Sequence, residues 1–135
     1  MEMERILLVE DNTDDIFMVR KAFQKAGIVN PLDVVNDGEK AIEYLRSNTP
    51  VIILLDLKLP KISGFEVLKW IKSRERLKRI PVIVLASSRN GEDINRAYDL
   101  GANSYITKPV RFEDLLNLSK HINIYWLMLN ERPEV

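Results

Sequence analysis

The chain has 135 residues, 46% of them hydrophobic, which is the size of one domain with a single buried core and leaves little room for a second. Twenty basic side chains balance twenty acidic ones, so no net field draws the protein to nucleic acid or an anionic membrane, and no apolar run approaches the ~20 residues that span a bilayer. The absence of cysteine excludes a disulfide framework and any thiolate-held metal; with an acidic N-terminus, Met1 to Arg5, leading straight into an apolar run, it fits a soluble cytoplasmic protein.

The first apolar run, Ile6 to Val9, reads as a strand that ends on Glu10-Asp11. Ile16, Val19, Phe23 and Ala26 then recur three or four apart, the period of a helix, and Gly27 stops it. Leu32 to Val35 is a short second strand, and Asp37-Gly38 opens a helix that carries Ala41, Ile42 and Leu45 and ends near Ser47-Asn48, before Pro50. Val51 to Leu55 shows no polar alternation, as expected of a central parallel strand covered on both faces, and it ends on Asp56. Past Pro60 and Gly64, Phe65, Leu68 and Ile71 line a third helix; Val82 to Ala86 is the fourth strand, ending on Ser87-Ser88. Ile94, Ala97 and Tyr98 line a fourth helix closed by Gly101, and Asn103 to Thr107 is a fifth strand running into Lys108-Pro109. The last helix starts near Phe112 and carries Leu115, Leu116 and Ile122.

Five strands alternating with five helices predict an α/β fold with a doubly wound, five-stranded parallel sheet, because right-handed crossovers put helices on both faces. Residues 1–135 read as one domain without internal repeat or linker, with 124–135 an apolar C-terminal tail. In such a sheet the polar groups that end the strands meet at one edge, where open α/β sheets bind ligands.

Those groups have a chemistry. Asp11, Asn12 or Thr13 could do no more than cap the first helix. Asp56 changes the balance, because a carboxylate straight after five apolar residues is costly unless solvated, paired or metal-bound. Glu10, Asp11 and Asp56, converging without Cys or His, suit a hard cation such as Mg²⁺. Lys108 adds an ammonium for an anion such as phosphate, and a cis Lys108-Pro109 bond is expected to turn it back toward the pocket.

Taken in order, Val9-Glu10-Asp11-Asn12, Leu55-Asp56-Leu57-Lys58-Leu59-Pro60 with Gly64-Phe65-Glu66-Val67-Leu68, and Gly101 to Pro109 resemble the receiver domain of two-component response regulators, a flavodoxin-like fold, over nearly the whole chain. The stretch Tyr125 to Asn130 is similar, more narrowly, to single-domain regulators that partner phytochrome-type histidine kinases. The resemblance implies a stand-alone regulator with no output domain. In it Asp56 takes a phosphoryl group from a phosphohistidine of a sensor kinase or phosphotransfer protein and Lys108 binds the phosphoryl oxygens. It further implies that Asp11, Asp56 and the main-chain carbonyl of Lys58 hold Mg²⁺, that Glu10 acts mostly through water, and that Tyr105 is the switch aromatic. The protein would be a phosphoacceptor that assists its own phosphotransfer and dephosphorylation, not an enzyme acting on a separate substrate.

One position departs from that pattern. At the spacing from Asp56 and Lys108 where the family has a Ser or Thr whose hydroxyl transmits the switch, this chain has Ala86. Ser87 would point to the opposite face of the strand, and Ser88, with the right parity, lies about 6.6 Å further on. Ala86 and Lys58 therefore motivate a second reading, a docking module that works without phosphorylation; the carboxylates and Lys108 oppose it. A phosphohydrolase would want a second carboxylate where Lys58 stands, and no Gly-x-Gly-x-x-Gly follows the first strand to bind a dinucleotide.

Elsewhere, His121 lies on the last helix away from the pocket, Trp70 falls off its helix's apolar stripe, and Lys72, Arg74, Arg76, Lys78 and Arg79 form a basic run that reads as a solvated face. Tyr125 to Leu129 cannot all face the core of a helix, so a homodimer contact through the last helix and tail is expected.

Overall fold

The computed structural model describes residues 4–133; the first three residues of the acidic N-terminus and residues 134–135 of the tail lie outside the described residues. Strands β1 (Ile6–Val9), β2 (Leu32–Val35), β3 (Ile52–Leu55), β4 (Val82–Ala86) and β5 (Ser104–Thr107) form one parallel sheet in the order β2-β1-β3-β4-β5. Helices α1 (Thr13–Lys25), α2 (Gly38–Ser47), α3 (Gly64–Lys72), α4 (Gly91–Asp99) and α5 (Phe112–His121) connect them, and a π-helical segment, Ile122–Leu129, continues α5 without a break. This is the doubly wound, flavodoxin-like architecture expected.

Burial follows from strand periodicity. Leu7, Val9, Ile53 and Leu55 face α2, α3 and α4, where they meet Leu45, Leu68 and Ile71. Their alternates Ile6, Leu8, Ile52 and Leu54 face α1 and α5, against Val19, Phe23 and Leu115. The central strands β1 and β3 are buried at every residue, whereas the edge strands β2 and β5 are half-buried throughout. Four of the five α-helices begin where the sequence supplies an acceptor: Asn12 caps α1, Asp37 α2, Ser63 α3 and Asn90 α4, each through its side-chain oxygen, whereas α5 starts after Arg111 without a side-chain cap. Gly27 (φ 79°) and Gly101 (φ 103°) close α1 and α4 in the left-handed region that other side chains rarely adopt.

Three expectations need correction. All described peptide bonds are trans, Lys108–Pro109 included. The lysine needs no reversal of the chain, because its amide still donates to Ala86 O (2.8 Å) and the side chain leaves directly from the end of β5. Tyr98 is 48% exposed, because α4 covers the edge strand β5 and buries only Ala97 fully. The basic run is in part internal bracing: Lys72 Nζ donates to Lys78 O (3.1 Å), Ile80 O (3.1 Å) and Asn103 Oδ1 (3.0 Å), and burial lowers its pKa. Arg76 ties the loop to the end of α2 through the carbonyls of Leu45 and Asn48 and the Thr49 hydroxyl. Trp70 is half-buried with the Arg74 guanidinium 4.9 Å from its ring centre, and His121 is exposed.

Two contacts generate predictions. A Cβ at Gly64 would lie 2.0 Å from the Asp56 carbonyl oxygen and 2.6 Å from Leu57 Cα, both backbone, so Gly64→Ala is expected to lose about 2–3 kcal/mol in denaturant unfolding. At the β2 edge, Asp33 accepts two hydrogen bonds from Arg5 (2.7 Å each) and one from the Tyr44 hydroxyl (2.5 Å). The Arg5 guanidinium, with help from Tyr44, holds the Asp33 pKa below its ordinary 3.8 against the opposing effect of burial. Its ionised form therefore stabilises the fold fully above pH 3.8, and that contribution is lost as pH falls through the folded-state value. Urea midpoints measured from about pH 5 down to about pH 2 should fall less steeply in Asp33→Asn than in the parent, from a lower starting value.

Candidate functional site

The parallel register carries the strand ends to one edge. Glu10 N donates to Val35 O (3.0 Å) and Asp56 N to Val9 O (3.0 Å), so each acidic residue is locked one step past its strand. The Lys108 amide does the same from β5 to β4. Glu10 is 2% exposed and Asp56 7%, while Asp11 is exposed at the head of α1. One oxygen from each of Glu10, Asp11 and Asp56 falls within 4.8 Å of the others, as read from the sequence.

The Lys108 ammonium sits inside this cluster, 2.6 Å from Glu10 Oε1, 2.9 Å from Asp15 Oδ2 and 3.1 Å from Asp56 Oδ2. Backbone amides hold the remaining oxygens: Asn12 N donates to Glu10 Oε2 (3.1 Å) and Leu57 N to Asp56 Oδ1 (2.7 Å). Burial pushes Glu10 up to about 7, against the pull of Lys108 and the Asn12 amide. Burial disfavours the Lys108 ammonium, but the hydrogen bonds to Glu10 and Asp15 and the Asp56 charge outweigh it and raise the Lys108 pKa. The arrangement is a nest of oxygen donors with one fixed ammonium, suited to a hard cation and to an anion at the same place.

Asp15 is the member that residue patterns missed. It reads as an acid in the first helical turn, favoured there by the helix dipole, and spacing carries no signal of its pairing with Lys108.

Between Asp56 and the loop after β4 lies a cleft of about 150 Å³, lined by Lys58, Ala86, Ser87, Ser88 and Asp93 among others. Lys58 is exposed at its rim and Ala86 is buried. Among the described residues neither serine bonds to Asp56: Ser87 is exposed on the cleft, and Ser88 Oγ donates to Asp93 Oδ2 (2.7 Å) while accepting from Asn90 N (3.1 Å). Tyr105 is half-buried, with its hydroxyl on the Ser88 carbonyl (2.8 Å).

Comparison with known proteins agrees with this geometry. Residues 6–120 match the response regulator receiver domain. The probable methanogenesis regulatory protein FilR2 of Methanothrix harundinacea is 43% identical over 134 residues, covering 95% of this chain and 86% of that protein. Response regulator Rcp1 of Synechocystis is 41% identical over 129 residues, covering 90% and 88%; a structure of the Mn²⁺-bound form of response regulator Rcp1 superposes with a TM-score of 0.87 at 39% identity, covering 97% and 99%. The phosphorylated cyanobacterial phytochrome response regulator RcpA superposes with a TM-score of 0.91 at 42% identity, covering 98% and 99%. No helix among the described residues is long and apolar enough to cross a membrane. By its strand-end carboxylates, its lysine and its match along most of its length, the chain belongs to the response regulator receiver domains of two-component signalling.

Proposed function

We propose that this receiver domain accepts a phosphoryl group on Asp56 from a phosphohistidine of a sensor histidine kinase or phosphotransfer protein and signals by contact with other proteins. The observation that carries the reading is the Lys108 ammonium 3.1 Å from Asp56 in a cluster of oxygen donors. An Asp56 carboxylate oxygen forms the new P–O bond as the P–N bond of the donor breaks, and the imidazole nitrogen keeps the electron pair. The attacking group is an ionised carboxylate, so no base is needed; the chain's task is to position it and neutralise charge. Leu57 N fixes one oxygen of Asp56, and Lys108 reaches the other and would meet the oxygens of the arriving phosphoryl group.

The donor set fits a divalent cation, Mg²⁺ in our reading: oxygen-only, partly exposed through Asp11, and short of positive charge. Asp11, Asp56 and the Lys58 carbonyl would hold it, with Glu10 acting through water, and it would supply charge neutralisation for the phosphoryl oxygens. The Mn²⁺-bound form of Rcp1 and the phosphorylated form of RcpA support both halves of the proposal by analogy.

The docking-module reading loses ground because two buried carboxylates, Glu10 and Asp56, sharing one ammonium are costly to keep without a use for them. Ala86 bears on how the signal leaves the site. With no hydroxyl at the end of β4, the link from the cleft to Tyr105 runs through the backbone carbonyl of Ser88.

The partner-facing surface we assign to self-association. Ile124, Tyr125, Met128 and Leu129 are each more than half exposed on the π-helical segment, next to the buried Ile122 and Leu127 that anchor it. Such a patch on the last helix suits a homodimer.

Two experiments test these assignments. Incubation with acetyl phosphate and Mg²⁺ should give a labile phosphate adduct by intact mass, absent in Asp56→Asn and absent when the cation is chelated; an adduct that survives Asp56→Asn defeats the assignment. For the contact, light scattering should give twice the chain mass for the parent and about the single chain mass for Tyr125→Glu combined with Met128→Glu. A monomeric parent sinks the dimer.

A further inference from the structure

Lysine has three N–H donors, and in the resting site Lys108 faces three carboxylates, Glu10, Asp15 and Asp56, at 2.6, 2.9 and 3.1 Å. The ammonium is saturated. A phosphoryl group arriving on Asp56 can be met by Lys108 only if one of these bonds is released. Glu10 is enclosed, with 2% of its side chain exposed and its other oxygen held by Asn12 N. Asp56 is the acceptor itself. Asp15 is the third partner, 41% exposed, borne on the first turn of α1 and so outside the strand-end lattice that fixes the other two. It is the bond that costs least to break, because water can take over the freed carboxylate.

Asp15 also adds charge where an anion must arrive. Glu10, Asp11, Asp15 and Asp56 are four carboxylates against the one ammonium, and no other ion pair to any of them is found among the described residues. We propose that Asp15 is a positioning residue that slows phosphorylation of Asp56: it holds the Lys108 ammonium in the resting site and is displaced when a phosphoryl group arrives. This rests on the phosphoacceptor reading of Asp56. Asp15 touches no reacting atom and acts through Lys108 alone.

The test uses acetyl phosphate with Mg²⁺, in which the anhydride P–O bond breaks, acetate leaves with the electron pair and Asp56 gains the phosphoryl group. Adduct formation followed by intact mass should be about threefold faster in Asp15→Asn than in the parent, the gain shrinking as salt rises because a charge of this exposure is screened. Asp15→Glu, which restores the charge, should bring back the slow, salt-dependent rate. A purely structural tether would instead move the unfolding midpoint and leave this salt-dependent difference absent. Equal or slower adduct formation in Asp15→Asn, with the parent still phosphorylated on Asp56, overturns the inference and leaves the phosphoacceptor reading standing. Failure of the parent to form any adduct overturns that reading and the inference with it.

Discussion

Among the described residues Lys108 is the one cation paired with Glu10, Asp15 and Asp56, and the site depends on it. Burying Glu10 and Asp56 without a counter-ion would cost several kcal/mol, and Lys108 meets both from the far side of the sheet. The neutralisation is incomplete, since Asp11 and Asp15 add negative charge to the same edge. Burial itself, with the Asp56 charge adding to it, pushes Glu10 up to about 7 even beside the ammonium. Several oxygen donors with one paired ammonium among them have the chemistry that suits a hard cation.

Holding that arrangement falls to the backbone. Parallel pairing fixes β1 between β2 and β3, so Glu10 and Asp56 leave neighbouring strands at the same height. The β4–β5 register does the same for Lys108 relative to Ala86. Gly64 lets α3 approach the Asp56 carbonyl more closely than any side chain would allow, and Gly64 N donates to Leu57 O (2.8 Å), bracing the loop after Asp56 from behind. The same strands whose alternate residues divide the core between the two helical layers thus bring distant acidic and basic residues within hydrogen-bond reach of one another.

On the other side of Asp56 the wall is softer. Ala86 contributes no donor, and the hydroxyl of Ser88 is committed to Asp93 and Asn90, so that flank is held by the loop's own bonds rather than by bonds to Asp56. Tyr105 grips the same loop through the Ser88 carbonyl.

Much of this was legible in the residues themselves. Unbroken apolar runs in β1 and β3, helical spacing in α1 to α3 and the stops at Gly27 and Gly101 gave the elements and their order, because periodicity and backbone freedom are local properties. The strand ends named Glu10, Asp11, Asp56 and Lys108 for the same reason: a polar residue after a buried strand has one place to be. Tertiary structure alone decided what depends on contacts between distant segments. It placed Asp15 on Lys108, 93 residues apart, and turned Lys72 and Arg76 from a solvated run into internal braces. It left Tyr98 overhanging an edge strand and carried the last helix into a π-helical segment with an apolar flank. These outcomes depend on which surfaces face one another after packing, and one-dimensional spacing carries no record of that.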